Sequence, residues 1–241
     1  MDEKTYAITD LHGRLDLWKE VKKILQPNDK VYFLGDAMDR GPDGYALFLE
    51  LLSDERVVYL KGNHEDMMAK GIEDYVTCSD IYDDFGLWTL SNGGSSTWNS
   101  IRTLSDEVLL QIVARLRTLP CEAVYVNKKG QTVYMNHAGI PPMFREGKSE
   151  WDLIWNRRYY YEKREWKPDF WNEENWNPEW DNSYLVHGHT PIQYYSHGYT
   201  VNEGPLFYQK RHKIDIDCAS YNTNAAFIFN LDTFDYITVR V

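Results

Sequence analysis

Three short polar phrases, each placed directly after a β-rich apolar run, constrain this chain most. Asp10-Leu11-His12 follows Tyr6-Ala7-Ile8, Gly35-Asp36-Ala37-Met38-Asp39-Arg40-Gly41 follows Val31-Tyr32-Phe33-Leu34, and Gly62-Asn63-His64-Glu65 follows Val57-Val58-Tyr59-Leu60. Helical patterns lie between them. Leu15, Trp18, Val21, Ile24 and Leu25 share one face of a helix near 14–25 that Pro27-Asn28 stops. A Gly-Pro-Asp-Gly turn at 41–44 leads into a helix across 45–52. With strands at 5–9, 30–34 and 56–60, this alternation predicts a mainly parallel layer with right-handed crossovers. Ligand sites in such layers form outside the carboxyl ends of the strands, where these phrases fall.

The rest of the chain reads less regularly. Residues 72–104 predict short helices with a turn at Asn92-Gly93-Gly94. Ser105 suits the N-cap of a helix at 105–118, with Glu107 in its first turn and Pro120 beyond its end. Strands are predicted at 122–126 and 131–136, joined by the hairpin turn Asn127-Lys128-Lys129-Gly130. From 184 onward the tail is β-rich, with strands at 184–186, 213–217, 226–229 and 236–239, and is expected to form a second sheet packed on the first. The expected fold class is α/β, a two-sheet β-sandwich core flanked by helices, with the site at the strands' C-terminal ends. No repeat or linker is visible, so residues 1–241 are expected to form a single domain. The stretch 165–182 stands apart, with four Trp and two Pro among many acids and no periodicity. It reads as a long loop or insertion: either a flap whose Trp residues pack on the body, or a rim that selects substrates.

At 241 residues, 43% hydrophobic and 15% aromatic, the chain is long and apolar enough for a substantial core. Lys and Arg number 26 against 37 Asp and Glu, a formal charge of −11. That balance argues against broad phosphate neutralisation on nucleic acid and against anionic membrane surfaces. The N-terminal residues lead straight into a strand, with no signal-like segment and no apolar run of membrane-spanning length. Cys78, Cys121 and Cys218 are odd in number and far apart, which suits reduced structural thiols. A cytoplasmic monomer without nucleic-acid or membrane partners is expected.

The donors carry the chemistry. Asp10, His12, Asp36 and Asn63 lie on the first three loops, and His137 and His189 each follow a later strand-like run. Mixed oxygen and nitrogen donors suit Mn, Fe or Zn rather than Mg or Ca alone. A shared carboxylate can bridge two ions about 3.5–4 Å apart, and water between them becomes hydroxide near neutral pH. Each residue alone has a plainer explanation, since a strand-end Asp caps helices and a lone His satisfies local hydrogen bonds. Their recurrence after five separate strand-like runs favours a shared metal site. His187 and His189, two apart, share a strand face, so alternation does not separate them.

The phrases also read as signatures: Asp-x-His, Gly-Asp-x-x-Asp-Arg-Gly and Gly-Asn-His-Glu. On these the chain resembles the phosphoprotein phosphatase family of calcineurin-like metallophosphoesterases, most of all its small bacterial and bacteriophage serine/threonine protein phosphatases. The resemblance extends through Asn92-Gly93-Gly94-Ser95-Ser96-Thr97, Asn136-His137-Ala138-Gly139, Ile154-Trp155-Asn156-Arg157 and Gly188-His189-Thr190-Pro191, from residue 5 to about 191. It implies a first metal on Asp10, His12 and Asp36, and a second on Asp36, Asn63, His137 and His189. The implied ions are Mn2+, with Fe or Zn as alternatives. A bridging hydroxide would attack phosphorus in line, His64 would protonate the leaving alkoxide while Asp39 orients it, and Arg40 and Arg157 would clamp the phosphate. Context selects His189 over His187 and Arg157 over Arg158, leaving His197 and His212 as ordinary histidines and Glu65 as a first-turn acid or support.

The implied substrate is a phosphorylated protein or small phosphoester. Symmetrical cleavage of dinucleoside polyphosphates by the same centre is an alternative, and the Trp-rich stretch could stack adenine. An inactive phosphoprotein-binding module should have lost a ligand or the acid, and none is missing. Larger eukaryotic relatives carry a further loop between late strands. No counterpart is recognised near Asp217-Cys218-Ala219-Ser220, so their inhibitor sensitivity is not carried over.

Overall fold

The computed structural model describes residues 3–77, 83–140, 149–157, 182–195, 199–208 and 212–241. The opening phrases grow from β1 (Thr5–Ile8), β2 (Lys30–Phe33) and β3 (Val57–Tyr59), paired in parallel with Thr5 opposite Lys30 and Val31 opposite Val57. Helices α1 (Leu15–Ile24) and α2 (Gly44–Ser53) form the crossovers, and α3 (Asn63–Thr77) begins at Asn63 itself. On α1, Leu17 is buried with Trp18 and Val21, while Leu15 and Ile24 are only partly covered. After α3 come one turn of helix α4 (Asp83–Gly86), a π turn at Leu87–Ser91 and α5 (Ser95–Ile101). Helix α6 (Asp106–Arg117) starts where expected, the Ser105 hydroxyl accepting the Val108 N–H at 3.4 Å.

The second half corrects the expected sheet assignment. β4 (Glu122–Val126) and β5 (Thr132–Asn136) form the predicted hairpin, but they belong to the second sheet with β6 (Ser183–His187), β7 (Leu206–Tyr208) and β8 (Lys213–Asp215). β9 (Ala225–Asn230) and β10 (Tyr236–Arg240) return to the first sheet, whose order is β10-β9-β1-β2-β3. That sheet is therefore mixed, with β9 antiparallel to β1. The reason lies in β9: Ala226 and Ile228 face the helices while Phe227 and Phe229 face the other sheet. A strand apolar on both faces needs cover on both, and the first sheet, lying between the helices and the second sheet, supplies it. β7 is only three residues long and gives no periodic signal.

The two apolar clusters fall on opposite faces of the first sheet. Tyr6, Ile8, Val31 and Phe33 pack with Trp18, Leu47, Phe48 and Met68 under the helices. Ala7, Leu34 and Leu60 pack with Met135, Val186, Ile214, Phe227 and Phe229 between the sheets. β5, β6 and β8 are parallel to one another, so each sheet sends a set of parallel strand ends toward one edge. Helix α7 (Glu150–Trp155) precedes Arg157. Among the described residues no helix is long and apolar enough to cross a membrane. Cys121 and Cys218 are free thiols, the former half-buried and the latter buried. Cys78, Arg158, His197 and all of 165–182 except Asn182 lie outside the described residues.

Candidate metal centre

The loops leaving β1, β2, β3, β5 and β6 bring Asp10, His12, Asp36, Asn63, His64, His137 and His189 into one buried group. Asp36 is its hub. Its Oδ1 accepts the His64 backbone N–H at 3.0 Å, which holds the carboxylate to the start of α3. Its Oδ2 lies 3.7 Å from His12 Nε2, 3.9 Å from His64 Nε2 and 3.4 Å from His137 Nε2. Asn63 Oδ1 is 3.0 Å from His137 Nε2 and 2.8 Å from His189 Nδ1. Asp10 Oδ1 is 3.9 Å from His12 Nε2, while Oδ2 accepts from Thr9 Oγ1 at 2.5 Å and from the His189 N–H at 3.1 Å.

The far ring nitrogens settle which atoms are available to a ligand. A carbonyl oxygen only accepts, so His12 Nδ1–H donates to Met38 O at 3.0 Å and His137 Nδ1–H to Leu34 O at 2.8 Å. Both rings therefore present Nε2 to the centre. His189 is reversed, with Nε2–H toward Trp155 O at 3.3 Å and Nδ1 inward. Such outer bonds fix ring orientation in metal sites. His187 points elsewhere, its Nε2 meeting the Tyr208 hydroxyl at 2.6 Å. His212 stacks on Tyr184 with centroids 4.8 Å apart.

Two triads, His12–Asp36–His64 and Asp36–His137–His189, have donor atoms within 4.8 Å of one another. The residues fit a pair of cations. Asp36 Oδ2 lies 3.7 Å from His12 Nε2 and 3.4 Å from His137 Nε2, beyond the usual hydrogen-bond range of about 2.7–3.2 Å. These spacings match donors sharing an ion held at roughly 2.0–2.2 Å from each. A metal pair held there supplies Lewis acidity and an activated water.

Electrostatics agree with this. Burial pushes the pKa of His12 well down, helped by His64 and Arg40, and that of His189 well down, helped by Arg157 and His137. Both are thus kept neutral, as ligands must be. Burial opposes the charge on Asp36, yet His137 and His64 hold its carboxyl well below the usual range. Burial also opposes charge on His137, but Asp36 and Asp10 outweigh it and raise the imidazole to about 9.

The backbone is strained here. Asp10 (φ 52°), His12 (45°), Asp36 (59°), Asp39 (70°), Arg40 (64°) and His189 (74°) all occupy the left-handed region. Such conformations persist only where surroundings impose them, and they cluster at functional sites. Two glycines allow the close approach: a Cβ on Gly62 would collide with Asp36 Oδ1, and one on Gly188 with Asp10 Oδ2. Glu65 is not aimed at the centre. It accepts the backbone N–H groups of Asp36 (2.9 Å), Ala37 (3.0 Å) and Gly62 (2.7 Å) and the Tyr59 hydroxyl (2.7 Å), which fastens the β2 loop to the β3 loop.

Residues 4–219 match the family described as calcineurin-like phosphoesterase. The chain belongs to that family. Its members use a dimetal centre, so this metallophosphoesterase is a phosphoester hydrolase in class. It is similar to a candidate diadenosine tetraphosphatase (14% identity, 99% of this chain and 93% of that one, TM-score 0.63). It is similar also to a serine/threonine phosphatase from Saccharomyces cerevisiae with similarity to human phosphatase PP5 (15%, 100% and 80%, 0.59). A metallophosphoesterase from Sphaerobacter thermophilus gives 15%, 99% and 88%, and 0.56. At these identities the likeness speaks to the fold. No curated protein matches the chain.

A cavity of about 480 Å³ opens over the metallophosphoesterase centre, lined by His12, His189, Arg40 and Arg157. Arg157 Nη1 donates to Thr190 Oγ1 at 3.1 Å. Asp217, Ala219, Tyr221 and Asn222, from the late segment that carries no recognised family loop, also line the cavity. The position of that segment after β8 and the Tyr within it were the available signals. Trp88, which bonds to Asp39, was likewise not singled out, and Thr97, which also bonds to it, was read within the motif at 92–97 without a role.

Proposed function

We propose that the protein is a metal-dependent serine/threonine protein phosphatase, acting in the cytoplasm as a monomer. The reading is supported by one observation above others: Arg40 and Arg157, from distant loops, line a single cavity with His12 and His189. Paired guanidinium forks match the oxygens of a phosphate monoester. Arg157 is oriented for this by Thr190. Arg40 Nη1 donates to His12 Nε2 at 2.7 Å, and its Nη2 lies 3.1 Å from His64 Nε2. With a metal on His12 Nε2 that lone pair would be taken up, which would leave the Arg40 guanidinium to a phosphate oxygen. Asp10, His12 and Asp36 would hold one ion and Asp36, Asn63, His137 and His189 the other, with Mn2+ preferred and Fe or Zn as alternatives.

His64 serves as the general acid. Its Nδ1–H is anchored on Asp39 Oδ2 at 2.7 Å, so the transferred proton comes from Nε2. Burial opposes its charge, but Asp36 and Asp39 raise its pKa above the ordinary value. An alkoxide leaving group needs such a donor. Free Cys121 and Cys218 agree with a reducing compartment.

A second reading, symmetrical hydrolysis of dinucleoside polyphosphates, is favoured by Tyr194 and Tyr221, exposed by 63% and 45% on the cavity rim. Aromatic faces there could stack a base. Turnover of a phosphoserine peptide and of diadenosine tetraphosphate by Mn2+-loaded protein tests the two. Faster phosphopeptide turnover is expected, and rapid cleavage of the dinucleotide alone would overturn the phosphatase reading.

A further inference from the structure

The segment Leu87–Thr97 has no role in the reading above, yet it encloses Asp39. Asp39 is fully buried. Its Oδ2 accepts from His64 Nδ1 at 2.7 Å and from Trp88 Nε1 at 2.9 Å, and its Oδ1 accepts from Thr97 Oγ1 at 2.7 Å. The Thr97 hydroxyl also accepts the Asp39 backbone N–H at 2.9 Å, so it grips this residue at both ends. The next peptide is held too, Arg40 N–H donating to Gly93 O at 3.0 Å. Two left-handed residues, Asp39 and Arg40, are thus pinned by one short stretch.

The stretch is built for the approach. Trp88 sits in the π turn, a helix form that recurs at functional sites, and Thr97 in the first turn of α5. A Cβ on Gly94 would run into the Trp88 indole nitrogen, and one on Gly44 would come within 2.7 Å of Thr97 Oγ1. Trp88 is fully buried against Phe85 and Trp98, with centroids 6.4 and 6.2 Å away. Indole N–H is a donor only. Packing makes no use of the indole N–H, and Asp39 Oδ2 accounts for it.

We propose that Trp88 and Thr97 are positioning residues that lock the Asp39 carboxylate so that the His64 ring keeps Nε2 aimed at the leaving-group oxygen. The inference rests on the reading of His64 as the acid. With one partner, a buried carboxylate can turn about its Cβ–Cγ bond and carry the imidazole with it. With Trp88 on Oδ2 and Thr97 on Oδ1, any such turn breaks two further bonds. Proton transfer requires heavy-atom separations of about 2.6–3.2 Å. A displacement of about 1 Å can cost on the order of a hundredfold.

The test uses Mn2+-loaded full-length protein and aryl phosphates ranging from p-nitrophenyl to phenyl phosphate. Trp88→Phe and Thr97→Val should keep metal content and hold KM within about twofold, yet lower kcat on phenyl phosphate by about tenfold to a hundredfold. The loss on p-nitrophenyl phosphate, whose leaving group needs little protonation, should be much smaller. Thr97→Ser should restore the wild-type pattern. If Thr97→Val does not fold, Trp88→Phe, which keeps an aromatic ring and removes the indole N–H, carries the test. A kcat loss equal across leaving groups, no loss at all, or failure of Thr97→Ser to rescue would overturn the proposal. Hydrolysis of none of these esters by the wild-type protein would instead overturn the phosphomonoesterase reading, and this inference with it.

Discussion

Asp36 and His64 are joined twice: Asp36 Oδ1 accepts the His64 backbone N–H at 3.0 Å, and Asp36 Oδ2 lies 3.9 Å from the same residue's Nε2. One carboxylate thus anchors the start of α3 and faces the imidazole cage. Asp36 thus faces both the acid and the metal cage, while Asp39 bonds to the acid, Trp88 and Thr97.

Asp36→Asn and Asp39→Asn should differ for that reason. Asp36→Asn replaces the charged hub with an amide and should bind less metal per chain by elemental analysis. Asp39→Asn should keep its metal and lose about 10²–10⁴-fold in kcat, the usual worth of a positioned acid. Equal metal content in the two variants would count against the assignment.

His64→Asn should hurt poor leaving groups most. Phosphoserine peptides and phenyl phosphate should lose more turnover than p-nitrophenyl phosphate, because only the former need a proton in the transition state. A uniform loss across the series would remove His64 from the acid role.

Glu65 should matter to stability rather than chemistry. Glu65→Ala strands three buried backbone N–H groups and the Tyr59 hydroxyl. At about 1–3 kcal/mol for each unsatisfied group, a loss of roughly 3 kcal/mol or more is expected in denaturant unfolding. Tyr59→Phe removes one donor and should cost only about 1 kcal/mol. Similar midpoints for the two variants would contradict the bracing role.

Metal uptake should release protons. In the metal-free protein the His137 imidazole is raised to about 9, so at pH 7.5 it is charged. It must lose that proton before Nε2 can ligate, so metal affinity should climb with pH until about 9, with about one proton released per chain at pH 7.5. The sign for stability is opposite. A raised folded-state pKa contributes stability below the ordinary value of about 6.5, lost as pH rises through the folded value. Indicator-dye titration in weak buffer, showing no proton release on adding Mn2+, would refute this.

Much of this protein was legible in its sequence because strand exits are local. Asp10, His12, Asp36, Asn63 and His64 lie within a few residues of apolar runs whose period reads directly, and His137 and His189 follow similar runs. Alternation could not choose between His187 and His189, two apart; in the structure His187 ends β6 and meets Tyr208, while His189 lies beyond it at φ 74° and meets Asn63. Context made that choice, and only the fold shows why. Tertiary structure alone decided that β9 and β10 rejoin the first sheet, where β9 has the helices on one face and the second sheet on the other. It alone brought Asp217 and Tyr221 to the cavity wall, and set Trp88 and Thr97 on Asp39 across 49 and 58 residues of chain. These contacts depend on how packed layers meet, and no local period in the sequence records that.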